Sequence, residues 1–136
     1  MSLTVWRKAH FNAAHRLYRE DWDDDKNFRI FGKCSNPHFH GHNYELEVGV
    51  TGDIDPETGY LLDLKILTEI LREEIEEAFD HKNLNLEVPE FQNLNPTVEN
   101  IAVVIWNKLR NRIDPQWGLE VKLYETPRNF VVYTGP

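Results

Sequence analysis

The chain of 136 residues has one cysteine, no long apolar run and no excess of positive charge. A single cysteine cannot form an internal disulfide, which excludes a disulfide-stapled secreted fold and fits a reducing cytosol. No run approaches the roughly 18 apolar residues that span a membrane, and the N-terminus lacks the apolar stretch of a signal peptide. We therefore expect a cytoplasmic protein without a membrane partner.

The charge balance is acidic, with 15 Lys and Arg against 23 Asp and Glu and a formal net charge of −8. A general nucleic-acid binder needs a basic face, so nucleic acid is disfavoured as a partner. Hydrophobic residues make up 40% of the chain, enough for the core of a single domain over residues 1–136. The longest charge run, Glu20 to Lys26, has no helical stripe and is predicted to be a surface loop.

Alternating apolar residues predict four strands. The clearest is Tyr44 to Thr51, in which every second residue is apolar and one face is therefore buried. Val5 to Phe11 is compatible with a first strand. Two more strands close the chain, one containing Val121 and Leu123, the other covering Asn129 to Thr134.

Two helices are predicted between these strand pairs. Apolar residues recur at three- and four-residue steps from Asp63 to Phe79, with Asp63 as the N-cap. The second helix is predicted to have Asn95 as N-cap and Pro96 at its first position, and to stop near residues 111–115. The order ββααββ predicts an α+β architecture, an antiparallel sheet with both helices on one face.

Six histidines accompany the single cysteine. His40 and His42 lead into the clearest strand, and residues two apart in an extended chain point to the same face. His15, at the end of the first strand, is the candidate third ligand. Three histidines around Zn²⁺ leave a fourth position open, as in catalytic zinc sites. The alternative is that these histidines hold no metal.

Three other features have two interpretations each. Cys34 is either a small buried side chain or, near a metal and imidazoles, a reactive thiolate. Asp80 and His81 end the first long helix and are either its exposed polar end or a relay for that thiolate. Glu125 is in phase with the buried face of its strand. It is either solvated beyond the strand end or a carboxylate that awaits two parallel N–H donors.

These residues belong to a set of spaced motifs that covers nearly the whole chain. The motifs are Phe11-x-Ala13-x-His15-Arg16-Leu17, Cys34-x5-His40-Gly41-His42-Asn43-Tyr44, Gly52-Asp53-Ile54-Asp55-Pro56-x-Thr58-Gly59, Leu64-Lys65, Phe79-Asp80-His81-Lys82-Asn83-Leu84-Asn85, Thr97-x-Glu99-Asn100 and Tyr124-Glu125-Thr126. Together they resemble the 6-pyruvoyl-tetrahydropterin synthase family, which includes bacterial 6-carboxytetrahydropterin synthases of queuosine biosynthesis.

The resemblance implies a fold, an assembly and a cofactor. The fold is the tunnelling fold, or T-fold, in which ββααββ units form an oligomeric barrel. The assembly is a homohexamer of two stacked trimers, with the active site between subunits. The cofactor is Zn²⁺, held by His15, His40 and His42.

The resemblance also implies roles for the other candidates. Cys34 would be the general base, with Asp80 and His81 as its relay. Glu125 would anchor the pterin ring through the 2-amino and N3–H groups. Two further matches lie near the pterin pocket, at Thr97 and Glu99.

The implied reaction is that of a zinc-dependent lyase, which converts 7,8-dihydroneopterin triphosphate to 6-pyruvoyl-tetrahydropterin with elimination of triphosphate. The alternative product is 6-carboxytetrahydropterin, formed with release of acetaldehyde. Five residues between Cys34 and His40 favour the pyruvoyl type without settling the product. Arg16, Lys33 and Lys82 are candidate cations for the triphosphate, with Mg²⁺ as a possible companion.

Two other classes remain open at this point. One is an enzyme of another reaction type on a related fold, such as a GTP cyclohydrolase, whose zinc ligands include cysteine. The other is a zinc- or pterin-binding module without catalysis. The presence of Cys34, Asp80, His81 and Glu125 together argues against a module, because a binding protein needs no base. No role is assigned to His10 or His38.

Overall fold

One five-stranded sheet forms the framework of the computed structural model, which describes residues 2–136. The strands are β1 (Ser2–His15), β2 (His40–Asp53), β3 (Lys82–Asn83), β4 (Gly118–Tyr124) and β5 (Phe130–Tyr133). Their order across the sheet is β3-β1-β2-β4-β5. The long neighbours β1 and β2 are antiparallel and in register from Ser2 opposite Asp53 to His15 opposite His40.

The four predicted strands are confirmed, and two of them are longer than predicted. β1 and β2 each have 14 residues, because every β1 residue has a partner on β2. The fifth strand, β3, joins β1 in parallel at Ala13 and Ala14. With two residues it is too short to show a hydrophobic period, so the pattern did not predict it.

Five α-helical segments accompany the sheet: α1 (Asp24–Phe31), α2 (Leu64–Leu71), α3 (Glu77–Phe79), α4 (Leu84–Glu87) and α5 (Val98–Arg110). A π-helical turn, Arg72–Glu76, joins α2 to α3, so helical backbone is continuous over residues 64–79, as predicted. Asp63 caps this helix and accepts the backbone N–H of Lys65 at 2.9 Å, also as predicted. Within residues 2–136 no helix has the length and apolar character needed to cross a membrane.

The predicted start of the second long helix is wrong by two residues. α5 begins at Val98, and its N-cap is Thr97, whose hydroxyl accepts the Asn100 N–H at 3.1 Å. Asn95 and Pro96 precede the cap. The Asn95 side chain instead accepts the backbone N–H of Tyr18 at 3.3 Å, a tertiary contact that local sequence does not show.

The acidic segment Glu20 to Lys26 is only partly the predicted loop. α1 begins at Asp24, and Asp23 caps it by accepting the Lys26 N–H at 2.7 Å. Asn27, buried in this helix, accepts the Arg19 N–H and donates to the Arg19 carbonyl, which closes the segment onto the helix. Because acidic residues suit both a cap and a first turn, the charge run contains a helix start rather than a pure loop.

The core lies between one face of the sheet and the two long helical segments. On β2 the alternate residues Tyr44, Leu46, Val48 and Val50 are fully buried, which confirms the predicted face. The helices contribute mainly Leu67, Leu71, Ile75, Phe79, Ile101, Ala102, Ile105, Trp106 and Leu109. The apolar spacing from Asp63 to Phe79 also predicts Leu64 as a buried residue, and this is wrong: Leu64, the first residue of α2, is 48% exposed.

Candidate active site

Three histidines converge at one end of the β1–β2 hairpin. The register places His15 opposite His40, and His42 two residues further along on the same face. Their ring centroids are 4.5 to 5.1 Å apart, and one nitrogen from each ring lies within 4.8 Å of the others. The predicted convergence of these side chains is therefore confirmed.

The electrostatics of the histidine triad favour neutral rings. His15 is 1% exposed, and burial lowers its pKa from 6.5 to about 4, with smaller contributions from His40 and His42. Burial, followed by His42, also lowers the pKa of His40. Neutral imidazoles offer lone pairs, the form that metal ligation requires.

Two ring nitrogens of the triad are buried without a hydrogen-bond partner within residues 2–136, namely His15 Nε2 and His40 Nδ1. A buried polar atom without a partner destabilises the fold unless something binds it. Three imidazole nitrogens fit a borderline cation such as Zn²⁺ and leave coordination positions open. The site therefore fits a metal centre of the kind that exposes the ion to substrate.

Glu125 extends from the end of β4 toward the triad. One carboxylate oxygen lies 3.9 Å from His15 Nε2 and the other 4.0 Å from His42 Nε2. Because His15 is neutral at physiological pH, the shorter distance describes an acceptor beside the triad and not an ion pair. Of the two interpretations of Glu125, the structure supports the one in which its side chain faces the buried side of the sheet, toward the triad.

Cys34 lies in a 3₁₀ turn, Gly32–Ser35, that packs beside the end of β1. Its carbonyl accepts the Leu17 N–H at 2.8 Å, and its side chain is half-buried. Burial raises the pKa of the Tyr44 hydroxyl, and Glu125 and Cys34 add to that effect. Cys34 and Glu125 thus share the electrostatic surroundings of the triad.

Asp80 and His81 lie at the opposite edge of β1 and pair with each other at 2.9 Å. Asp80 accepts the Asn12 N–H at 2.8 Å, and the His81 N–H donates to the Asn12 carbonyl at 2.7 Å. The Asn12 N–H holds the pKa of Asp80 below its usual range. Among residues 2–136 no hydrogen bond joins this pair to Cys34.

The remaining candidates occupy different positions. Thr97 is the N-cap of α5, and Glu99, in the first turn, is exposed. His10 is exposed on the open face of the sheet, and His38 is exposed beside a cavity. Sequence reasoning missed Tyr44, which contacts His15; its phase with His40 and His42 could have revealed it.

Three converged histidines, a half-buried thiol and a carboxylate at the end of one hairpin of an α+β sheet are typical of an enzyme with a candidate metal site. The chain matches the family model described as 6-pyruvoyl tetrahydropterin synthase over residues 4–136. It therefore belongs to the 6-pyruvoyl tetrahydropterin synthase family.

Individual proteins agree with that assignment. The chain is 47% identical over 131 residues to 6-pyruvoyl tetrahydrobiopterin synthase of Pongo abelii and 45% identical to that of Homo sapiens. Each match covers 96% of this chain and 90% of the relative. The solved structure of 6-pyruvoyl tetrahydropterin synthase from Caenorhabditis elegans is 36% identical, with a TM-score of 0.94 over 100% of this chain and 97% of the other. The predicted α+β tunnelling fold is confirmed.

Proposed function

We propose that this single-domain protein converts 7,8-dihydroneopterin triphosphate to 6-pyruvoyl-tetrahydropterin with release of triphosphate. The observation that carries the proposal is the convergence of His15, His40 and His42 beside Cys34 and Glu125. The relatives at 45–47% identity are named for 6-pyruvoyl tetrahydrobiopterin synthesis, which supports the pyruvoyl product over the carboxy product.

The metal in this proposal is Zn²⁺, held by His15, His40 and His42. A bound zinc ion supplies Lewis-acid polarisation of substrate oxygens, which acidifies the neighbouring C–H. The protein's own contribution is to bring the three imidazoles together and to lower the pKa of His15 and of His40. Burial does this for His15, whose pKa of about 4 leaves it unprotonated at physiological pH.

Cys34 takes the substrate's side-chain proton in this proposal, because its half-buried thiol shares the electrostatic surroundings of the triad and a thiolate can act as a general base. Asp80 and His81 support that step as a relay. Since no hydrogen bond or ion pair joins them to Cys34 within residues 2–136, we propose that a neighbouring copy supplies them. His81 is 79% exposed and so is accessible to another subunit. A homohexamer with active sites between subunits would satisfy this requirement.

Glu125 anchors the pterin ring in this proposal by accepting its 2-amino and N3–H groups as a bidentate, charge-assisted pair. Its carboxylate is partly exposed and has no Lys or Arg partner within residues 2–136, which supports an acceptor that binds a ligand. We also assign Thr97 and Glu99 to the border of this proposed pocket, because they follow Pro96, whose carbonyl contacts His15.

Two cations are placed to bind the triphosphate. Arg16 and Lys33 line one cavity of about 670 Å³, next in sequence to His15 and Cys34 respectively. The Arg16 guanidinium is held by its Nε–H, which donates to the Ser35 carbonyl at 2.8 Å. Lys82 lines a second cavity together with His42 of the triad, so it is a third candidate. Mg²⁺ bound to the triphosphate would supplement these charges.

The reaction needs no external oxidant, because the pterin ring is reduced as the side chain is oxidised and triphosphate leaves. The test is mass spectrometry of products from 7,8-dihydroneopterin triphosphate, with GTP as a parallel substrate. We expect 6-pyruvoyl-tetrahydropterin and triphosphate. Formation of 6-carboxytetrahydropterin and acetaldehyde would instead identify the protein as a 6-carboxytetrahydropterin synthase of the queuosine type. Turnover of GTP alone, or of neither substrate, would contradict the proposal.

His40→Ala supplies the matched loss of function and His10→Ala its control. His40 is one of the three converged ligands, whereas His10 is exposed on the open face of the sheet. We expect the first variant to lose bound zinc and turnover and the second to retain bound zinc. Equal zinc content in the two variants would argue against the triad as the metal site.

A further inference from the structure

The second ring nitrogen of His15 has two neighbours that define its protonation. Nδ1 lies 2.8 Å from the Pro96 carbonyl oxygen and 3.3 Å from the Tyr44 hydroxyl. A carbonyl oxygen can only accept a hydrogen bond, so Nδ1 must carry the proton. The lone pair of the neutral ring is then on Nε2, the buried nitrogen that faces the triad without a partner.

Tyr44 packs against the rings of two of the three histidines, His15 and His42. It is fully buried, and its ring stacks on Phe11 at 4.9 Å. The rings of His42 and His15 make T-shaped contacts with the Tyr44 ring, at centroid distances of 5.6 and 6.1 Å. Since Nδ1–H of His15 is directed at Pro96, the Tyr44 oxygen acts as a second, weaker acceptor. The Pro96 carbonyl therefore sets the tautomer of His15, and Tyr44 restricts the tilt of the ring and supplies a second contact to Nδ1.

The Pro96 carbonyl is held in place by a tight turn. The Thr97 N–H donates to the Asn95 carbonyl at 2.8 Å, which closes three residues around Pro96 as in a γ-turn. Asn95 ties this turn to the β1 side of the site by accepting the Tyr18 N–H. It ties the turn to α5 through the Asn100 side-chain amide, which donates to the Asn95 carbonyl at 2.9 Å. The acceptor for His15 is thus fixed from two sides.

We propose that Tyr44 and the Asn95–Pro96–Thr97 turn are positioning groups that fix His15 in the Nδ1–H tautomer, with Nε2 aimed at the metal. The inference rests on the proposed function only in naming His15 a metal ligand. Outer groups that orient a ligating histidine commonly change metal affinity by roughly 10- to 100-fold when removed. The turn also carries Thr97, so the same backbone serves the metal site and the border of the proposed pterin pocket.

The first test measures the tautomer in the metal-free protein. Long-range ¹H–¹⁵N correlation spectra distinguish Nδ1–H from Nε2–H histidines without substrate or metal. We expect His15, assigned by its absence from the spectrum of His15→Gln, to show the Nδ1–H pattern near neutral pH. An Nε2–H pattern, or rapid averaging of the two tautomers, would overturn the proposal.

The second test measures zinc affinity by competition with a chromophoric chelator, together with the visible spectrum of the Co²⁺-loaded protein. Tyr44→Phe keeps the ring stack and removes only the hydroxyl. Asn95→Ala keeps the backbone hydrogen bonds of the turn and removes the side-chain acceptor that links it to Tyr18. We expect each to weaken zinc binding about 10-fold or more and to shift the cobalt bands. Tyr133→Phe, which alters a hydroxyl far from the triad beside Trp106, is the control and should bind zinc like the parent.

Unchanged zinc affinity and cobalt bands in folded Tyr44→Phe and Asn95→Ala would overturn the proposal. Circular dichroism establishes that each variant is folded, and if one is not, the other variant and the tautomer measurement decide. None of these readouts uses a pterin. Failure of the proposed lyase activity would therefore leave them intact, and the two failures are distinguishable.

Discussion

The burial of His15 predicts a specific loss of stability on acidification of the metal-free protein. In the unfolded chain His15 binds a proton near pH 6.5, whereas in the folded protein its pKa is about 4. The unfolded state therefore binds more protons between these values, and stability falls as the pH falls through this window. Above about pH 6.5 the full contribution is present, and below about pH 4 no further loss arises from this residue.

The magnitude follows from the difference between the two pKa values of 6.5 and about 4. At about 1.4 kcal/mol per pH unit, it corresponds to about 3 kcal/mol. Burial is the main cause, with the neighbouring imidazoles of His40 and His42 adding to it. This free energy of about 3 kcal/mol therefore expresses how strongly the folded site disfavours protonation of His15 Nε2, the nitrogen that faces the triad.

The assay is urea unfolding in the presence of a chelator, at one protomer concentration, from about pH 7 to pH 4. His15→Gln removes the titrating group, and exposed His10→Gln is the matched control. The stability gap between the parent and His15→Gln should shrink by about 3 kcal/mol over this range. The difference in unfolding stability between the parent and His10→Gln should change little over the same pH range. A constant gap for His15→Gln would refute the assignment of a buried, neutral His15.

Three further substitutions have defined outcomes. Cys34→Ala should abolish turnover while zinc content, measured by atomic emission, stays near that of the parent; full turnover would eliminate Cys34 as the base. Glu125→Gln should raise KM for the pterin substrate by roughly 10- to 100-fold, the cost of losing a charged acceptor, with a smaller change in kcat; an unchanged KM would remove Glu125 as the anchor. Thr97→Ala should lower unfolding stability by about 1 kcal/mol, as expected for loss of an N-cap; an effect near zero in urea unfolding would contradict the cap observed for α5.

The convergence of the three histidines was predictable because its signal is local and periodic. His40 and His42 are two residues apart on a strand, and the hairpin places His15 opposite His40. Period-two alternation requires no knowledge of the rest of the chain. Tyr44 follows the same two-residue period after His40 and His42. Its contact with His15 could therefore have been predicted from the sequence, and it was not.

The start of α5 was not predictable from local chemistry alone. The helix has two reasonable N-caps in its sequence, Asn95 before Pro96 and Thr97 before Val98. Asn and Thr are both good caps. The choice is made by tertiary contacts, in which Asn95 binds Tyr18 and the Pro96 carbonyl binds His15. A single-sequence pattern carries no information about either partner.

The relation between Cys34 and the Asp80–His81 pair also lies beyond the sequence pattern. Motifs show which residue types are present, but not whether they meet within one chain or across a subunit boundary. Here Asp80 and His81 are fixed to Asn12 at one edge of β1. Cys34 is fixed to Leu17 beyond the end of that strand. The sequence predicted the components, and their assembly depends on the partner copy that we propose.

The central claim is that the three converged histidines hold the metal on which triphosphate elimination depends. The most direct measurement is triphosphate release from 7,8-dihydroneopterin triphosphate by chelator-stripped protein, before and after addition of one equivalent of Zn²⁺ per chain. We predict no release from the stripped protein and restored release, with 6-pyruvoyl-tetrahydropterin, after zinc is added. Full release from metal-free protein, or none after zinc is restored to folded protein, would contradict the account.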